Sequence, residues 1–375
     1  MSLASSHSPH GQSPLRTVQV LGGGNAASSA HVRSLAAGLV ARGVRVIVCA
    51  PSDADSAYDF TGAGAEHMPI PRSSDPGSVA ALRAACSNAD LVHAHGLHAS
   101  FRAALALSGR RTPLVVTWHN RAYAEGPRAQ LLRVLERRVV KAAAVVLGTS
   151  SDLVDRARRR GARDVRLSAV ALSAPRGAGR DESDRCKTRA ELGATARPLL
   201  VSVGSLDRHR GYDVLLDAVH AWRGLDPAPL LVIAGEGPLR AELQGRIENE
   251  GLPVRLIGRR DDVSELLSAA DLALLPSRWE SRSVLAQEAL HARVPLIATA
   301  VGGVPELVGE AAELVPYGDA VALGRAVVRL LGDPERREIL RERGVRQIAT
   351  WPTEDETVAQ VLSVYDEFTQ PRPLP

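Results

Sequence analysis

Two carboxylates eight positions apart, Glu280 and Glu288, lie in the segment WESRSVLAQEAL between residues 279 and 290. Apolar strand patterns flank it, Leu272 to Leu275 before and Pro295 to Ala298 after. The first acid therefore falls in a loop and the second inside an otherwise apolar helix. An ionised carboxylate accepts two hydrogen bonds in a fork, which suits a ligand with paired hydrogen-bond donors. The helix start between the acids adds backbone N–H groups and a positive dipole end, which suit an anion.

Other groups capable of chemistry are weaker candidates. Gly22-Gly23-Gly24-Asn25-Ala26-Ala27 satisfies the letters of a dinucleotide turn, G-x-G-x-x-A. The second strand ends Cys49-Ala50-Pro51, with no acid in place to hold a ribose, so the turn reads as a close backbone approach to some other ligand. Asp53-Ala54-Asp55 matches a metal-binding D-x-D by letter but sits in a polar loop with no other acids beside it. His93 and His95 share one face of a strand, with His98 just beyond; histidines at a strand's carboxyl end line a cleft more often than they bind metal. The two lysines, Lys141 and Lys187, lie outside any glycine-rich turn, so neither a P-loop nor a pyridoxal phosphate site is expected.

The elements that must position these groups alternate strand and helix. Thr17 to Leu21, Val44 to Cys49, Asp90 to His95, Pro113 to Trp118 and Ala144 to Leu147 read as strands, with helical patterns such as Ala30 to Arg42 between them. Residues 174–190 break the rhythm with Pro, Gly and charge and read as a linker. The rhythm restarts at Leu199 to Val203, Leu230 to Ala234, Val254 to Ile257, Leu272 to Leu275 and Leu296 to Ala298. The expected organisation is a tail over 1–15, an α/β domain over 16–173, the linker, and a second α/β domain over 191–352. A last helix within 353–375 is expected to cross back to the first domain. Two doubly wound parallel sheets bind ligands at the carboxyl ends of their strands, in the cleft between them.

After successive strands of the second domain come Gly204-Ser205-Leu206-Asp207-Arg208-His209-Arg210-Gly211, Gly235-Glu236-Gly237-Pro238, Gly258-Arg259-Arg260-Asp261, the paired-acid segment, and Gly302-Gly303-Val304-Pro305-Glu306. In the first domain the glycine-rich turn is followed by Ala30-His31-Val32, Arg42-Gly43, the run from Asp90 to Gly96, and Val116-Thr117-Trp118-His119. In this order the pieces resemble the retaining glycosyltransferases of family 4, which have the GT-B fold of two Rossmann-like halves. The resemblance covers roughly residues 17 to 368. It implies that Glu280 holds hydroxyls of a donor sugar and Glu288 the ribose of its nucleotide. It further implies that Arg210 pairs with the departing diphosphate, that Gly302 and Gly303 let backbone approach it, and that Ser283 and Val284 offer it the helix start. Arg259 lies where the family frames the base. His119 matches a histidine reaching the sugar near its anomeric carbon, and Gly23 and Gly24 belong to the donor-side turn.

The chain departs from the family at two places. Ser205 stands where the family usually has arginine, and Ser281-Arg282-Ser283 replaces the usual Gly-x-Gly after the first acid. Arg282 or Arg208 is expected to restore the missing positive charge. The reaction implied is transfer of a sugar from a UDP- or GDP-sugar with retention at the anomeric carbon and no metal or other cofactor. The acceptor, whether small molecule, lipid or glycan, is not legible. An epimerase or hydrolase of the same fold, or a non-catalytic nucleotide-sugar-binding subunit, are the alternatives.

Composition sets the remaining bounds. A chain of 375 residues with 45% hydrophobic and 23% charged residues suits two globular domains. A net charge of +4 is too mild for a nucleic-acid partner. Three scattered cysteines, an N-terminal segment without an apolar stretch, and no run long enough to span a bilayer point to a cytoplasmic protein. Two basic clusters, Arg133, Arg137, Arg138 and Lys141, then Arg156, Arg158, Arg159 and Arg160, read first as solvated helix faces and second as a peripheral contact with an anionic inner membrane face.

Overall fold

Alternate residues of single strands belong to opposite cores, which sets the architecture. In the strand Leu230–Ala234, Leu230, Val232 and Ala234 pack into one core while Leu231 and Ile233 pack into another. A strand buried on both faces needs helices above and below it, and that is the parallel α/β layering.

The computed structural model describes residues 14–22, 26–72, 74–122, 126–168, 170–171 and 182–369. The first sheet holds β1 (Arg16–Leu21), β2 (Arg45–Ala50), β3 (Glu66–Pro69), β4 (Leu91–His95), β5 (Leu114–Trp118), β6 (Val145–Gly148) and β7 (Val165–Leu167), in the order β3-β2-β1-β4-β5-β6-β7. The second holds β8 (Leu199–Val203), β9 (Leu230–Ala234), β10 (Val254–Leu256), β11 (Leu272–Leu275), β12 (Leu296–Thr299) and β13 (Ala312–Val315), in the order β10-β9-β8-β11-β12-β13. Every pairing in both sheets is parallel. Two doubly wound domains of this kind are the GT-B fold.

The helices in chain order are α1 (Ala26–Ala41), α2 (Ala54–Tyr58), α3 (Pro76–Ala85), α4 (Leu97–Ala106), α5 (Pro127–Ala142), α6 (Ser151–Arg159), α7 (Glu182–Glu191), α8 (Tyr212–Val219), α9 (Arg240–Glu250), α10 (Val263–Ala269), α11 (Val284–His291), α12 (Val304–Val308), α13 (Ala320–Gly332), α14 (Pro334–Ile348) and α15 (Glu354–Thr369). Among the described residues no helix is long and apolar enough to cross a membrane.

Several expectations are corrected. The stretch read as linker to residue 190 carries α7 from Glu182 onward. None of its residues is buried, so no apolar stripe announced it; instead Arg189 donates to the carbonyls of Ala269 and Arg197 at 2.8 Å and pairs with Asp271. The edge strands β3, β7 and β13 were not expected. The second basic cluster is partly structural, since Arg156 and Arg160 both bind the buried Glu136 of α5, at 2.7 and 2.6 Å. The first cluster is fully exposed along α5.

Helix α15 lies on the first domain. Its Val358 packs so closely on α1 that a Cβ at Gly38 would come within 2.5 Å of it. Arg166 pairs with Glu367 at 2.6 Å, and Gln360 donates to the Leu167 carbonyl at 3.0 Å. The helix thereby brings Tyr365, fully buried, against Gln19 of β1 and His93 of β4.

Candidate active site

The segment after β11 resolves into four side chains with separate duties. Ser277 donates to Glu280 at 2.9 Å, and Arg210, arriving from the turn after β8, binds the same carboxylate oxygen. Ser281 bonds Thr149 of the first domain, hydroxyl to hydroxyl, at 2.8 Å. Ser283 caps α11, its Oγ accepting from Ala286 N at 3.3 Å. Because a helix start has more N–H groups than one cap can satisfy, the rest of that first turn remains available to a ligand. Arg282 points its guanidinium inward, where Nε and Nη2 are buried with no hydrogen-bond partner. Burial pulls its pKa down, opposed by the Glu306 carboxylate.

These groups line one cavity of about 440 Å³ between the domains, together with Glu288, Val284, Ser205 and His119. That size suits a small-molecule site, which typically runs to about 300–1,000 Å³. The Glu288 carboxylate has no protein hydrogen-bond partner among the described residues, and burial raises its pKa. A desolvated acceptor of this kind is ready to take hydroxyl donors.

The domains are engaged around the cavity. Besides the Thr149–Ser281 bond, Trp279 Nε1 donates to Asp152 at 2.8 Å, and Ser151 N at the start of α6 donates to Glu306 at 3.0 Å. Gly302 and Gly303 serve this contact. Gly302 has φ +53°, and a Cβ there would meet the Glu280 carbonyl at 2.0 Å; one on Gly303 would meet Ser150 Cβ and the Ser281 carbonyl at 2.6 Å. The glycines thus pack against the protein's own Glu280 loop and the opposite domain and are not among the residues lining that cavity. Two arginines also lie away from that wall. Arg208 is exposed on the turn before Arg210, off the cavity wall. Arg259 is 81% exposed and pairs with Asp261. Gly23 and Gly24 lie outside the described residues.

His119 belongs to a buried chain that sequence reasoning did not find. Gln19 Oε1 lies 3.0 Å from His95 Nε2, and an amide oxygen only accepts, so His95 Nε2 carries the proton. His95 Nδ1 is then the acceptor for His119 Nε2–H at 3.1 Å, which leaves His119 Nδ1 as that ring's acceptor. On the other side Gln19 Nε2 donates to Tyr365 OH at 3.0 Å, and Tyr365 donates to His93 Nδ1 at 2.7 Å. His93 Nε2–H closes the chain on Thr117 Oγ1 at 2.6 Å. Burial keeps all these rings neutral: His31 falls to about 4 and His93 to about 3, while His95 and His119 fall well below the usual range. His31, His95 and His119 bring ring nitrogens within 4.8 Å of one another and could hold a metal ion, although the His95 and His119 nitrogens already satisfy each other. His98, grouped with His93 and His95 in the sequence, is exposed on α4 and takes no part.

Replacing Tyr365 by Phe should leave His93 Nδ1 without a partner and Gln19 Nε2 with only its 3.5 Å contact to Thr17 Oγ1, at a cost of about 1–3 kcal/mol per buried orphan. The expected result is a lower melting temperature, plus a reduced kcat at temperatures where the variant is folded, with little change in donor KM. An unchanged kcat would make α15 a purely structural support for His119.

Residues 184–347 match the family described as glycosyl transferases group 1, and residues 27–173 match the glycosyl transferase 4-like domain. The chain is 30% identical to alpha-D-kanosaminyltransferase of Streptomyces kanamyceticus over 276 residues, 68% of this chain and 71% of that one. It is 28% identical to phosphatidyl-myo-inositol mannosyltransferase of Mycobacterium leprae, across 84% and 85% of the two chains. Among solved structures, HepE of Anabaena in complex with UDP superposes with a TM-score of 0.79 at 20% identity, covering 94% of this chain and all of that one.

Proposed function

The chain belongs to the family-4 glycosyltransferases of GT-B fold, and from that premise we propose that it moves a sugar from a nucleoside diphosphate to an acceptor hydroxyl or amine, with retention and without a metal ion. The observation that carries this reading is the cavity lined by both Glu280 and Glu288, beside the open first turn of α11 and the unpartnered Arg282 guanidinium. Glu280 takes sugar hydroxyls, Glu288 takes the ribose, and Arg210, Arg282 and the α11 amides take the diphosphate. His119 offers Nδ1 to a sugar hydroxyl. Solved HepE complexes hold UDP and UDP-glucose, which supports a nucleoside diphosphate donor here, a UDP- or GDP-sugar.

In the reaction, the bond from C1 to the diphosphate oxygen breaks while the acceptor oxygen bonds to C1 on the same face. The acceptor's proton passes to the departing phosphate oxygen. The protein's part is electrostatic: cations and helix amides stabilise charge on the leaving group, and a closed cleft excludes water. The three contacts between the domains around Ser281 support such closure.

The seat is proposed to be the cytoplasm, with peripheral contact to an anionic membrane. The exposed Arg133, Arg137, Arg138 and Lys141 of α5, with Leu131 58% and Val134 48% exposed beside them, support that contact.

The test is turnover of UDP- and GDP-sugars by the purified chain, with product anomers assigned by proton NMR. Transfer in EDTA is expected within about twofold of the rate without it, because arginines and amides supply the charge stabilisation. An absolute need for Mg²⁺ or Mn²⁺, or an inverted product, would overturn the mechanism. Free sugar as the sole product would mark a hydrolase, and no turnover a binding subunit.

A further inference from the structure

Three imidazoles from separate elements of the first domain converge beside the cavity that His119 lines. His31 comes from α1, His95 from the end of β4 and His119 from the residue after β5. Ring centroids lie 5.8 Å apart for His31 and His95, 5.2 Å for His31 and His119, and 5.4 Å for His95 and His119. One ring nitrogen of each lies within 4.8 Å of the other two. His95 Nδ1 and His119 Nε2 are already 3.1 Å apart. A tetrahedral ion with Zn–N bonds of about 2.0–2.1 Å sets its ligands roughly 3.3 Å from one another, so this pair stands at ligand spacing. His31 is the third member and only 4% exposed. Among the described residues its ring makes edge contacts with the other two histidines and no hydrogen bond, an unpartnered donor set aimed at their nitrogens.

We propose that His31, His95 and His119 form a three-nitrogen site for Zn²⁺ or a similar borderline divalent ion, and that an ion held there inhibits the chain by taking His119 from the donor sugar. Imidazoles with no hard oxygen ligand among them select Zn²⁺, Co²⁺, Ni²⁺ or Cu²⁺ over Mg²⁺ and Ca²⁺. His95 is already set for the task. Its Nε2–H donates to Gln19 Oε1 at 3.0 Å, the outer-shell contact that fixes the tautomer of a metal-bound imidazole, and its Nδ1 lone pair is left on the His119 side. Capture breaks the hydrogen bond from His119 to His95. The His119 proton moves from Nε2 to Nδ1, so no net proton is released. Because His119 is in the wall of the first cavity, the ion enters from there, and a water of the cavity completes the tetrahedron. The ion takes no part in sugar transfer. Its inhibitory action rests on the glycosyltransferase reading, because it needs the donor sugar to lie against His119; the site itself does not.

The test uses the full chain without an affinity tag, stripped of metal and transferred out of chelator. Co²⁺ titrated alone should give a tetrahedral visible absorption that saturates at one equivalent and is displaced by Zn²⁺. Zn²⁺ alone should raise the melting temperature and Mg²⁺ should not. Two variants carry the assignment: His31→Phe keeps a ring without a nitrogen, and His31→Gln keeps polarity. Either one, checked for cooperative melting, should bind Co²⁺ at least about 100-fold more weakly, beyond what loss of an outer-shell partner costs. With a nucleotide sugar turning over, Zn²⁺ should raise the donor KM, leave kcat at saturating donor unchanged, and be reversed by EDTA. The same Zn²⁺ should not move the donor KM of the variants, which separates the site from chelation by the donor's own diphosphate. A thiolate charge-transfer band would place the Co²⁺ on the exposed Cys186 and overturn the site. So would undiminished binding by the variants, or no binding at all. Zn²⁺ bound through His31 without a rise in donor KM would overturn the inhibition. A chain that binds Zn²⁺ there but turns over no nucleotide sugar would instead overturn the transfer reading and leave the ion site standing.

Discussion

Glu280→Gln is expected to lower kcat/KM for the donor by roughly 10²–10³, or about 2.7–4 kcal/mol of transition-state stabilisation, the range found when one preorganised polar contact is removed. The change keeps size and shape but replaces one acceptor oxygen by a donor NH2. That group cannot serve both as the acceptor that a sugar diol requires and as a partner for a guanidinium. In the ligand-free chain Glu280 is already bound to Arg210 and to Ser277, and its side chain is only 15% exposed. Breaking a pair this well buried leaves Arg210 uncompensated, so the melting temperature should fall as well. Donor binding must draw Arg210 from this carboxylate toward the diphosphate, and the two effects are therefore coupled. A cycle with Arg210→Gln should show it: the double variant is expected to lose much less than the sum of the single losses. Release of nucleoside diphosphate is the assay. A Gln variant within a few-fold of the parent would remove Glu280 from the chemistry.

The site was legible where its residues are neighbours in sequence. Glu280, Arg282, Ser283 and Glu288 share one loop and one helix, so the family resemblance of that single segment places them together, and all four line one cavity. The strands that could be read, such as Leu230–Ala234, are apolar on both faces because helices cover both. Edge strands such as Val165–Leu167, which places only two partly buried residues and an exposed one, give no such run. The histidine chain was hidden for a different reason. Gln19 and Tyr365 are 346 positions apart and meet only because α15 returns to the first domain. A lone tyrosine in an amphipathic helix carries no mark of that meeting. The Ser281 departure is likewise intelligible only in three dimensions, since its hydroxyl bonds Thr149 of the other domain, a contact that a glycine could not make.

Arg282→Ala should separate stability from function in opposite directions. The guanidinium is desolvated, its Nε and Nη2 have no partner, and no ion pair to it is found among the described residues. The nearest opposing influence, Glu306, accepts from Ser151 N instead. An unpartnered buried cation is destabilising, so its removal should leave the melting temperature of the free chain unchanged or higher. Donor kcat/KM should nevertheless fall by roughly 10²–10⁴-fold, because two or so charge-assisted hydrogen bonds to the diphosphate, each worth about 1.5–3 kcal/mol, are lost. Nucleoside diphosphate should accordingly stabilise the variant less than the parent. Position 205 supplies the complementary test, since Ser205 lines the same cavity and stands where the family places an arginine. Introducing Ser205→Arg into the Arg282→Ala chain should recover at least about tenfold of the lost kcat/KM if the two positions supply one and the same cation. An unchanged donor kcat/KM in Arg282→Ala would make its guanidinium a bystander and leave the diphosphate to Arg210 and the first turn of α11.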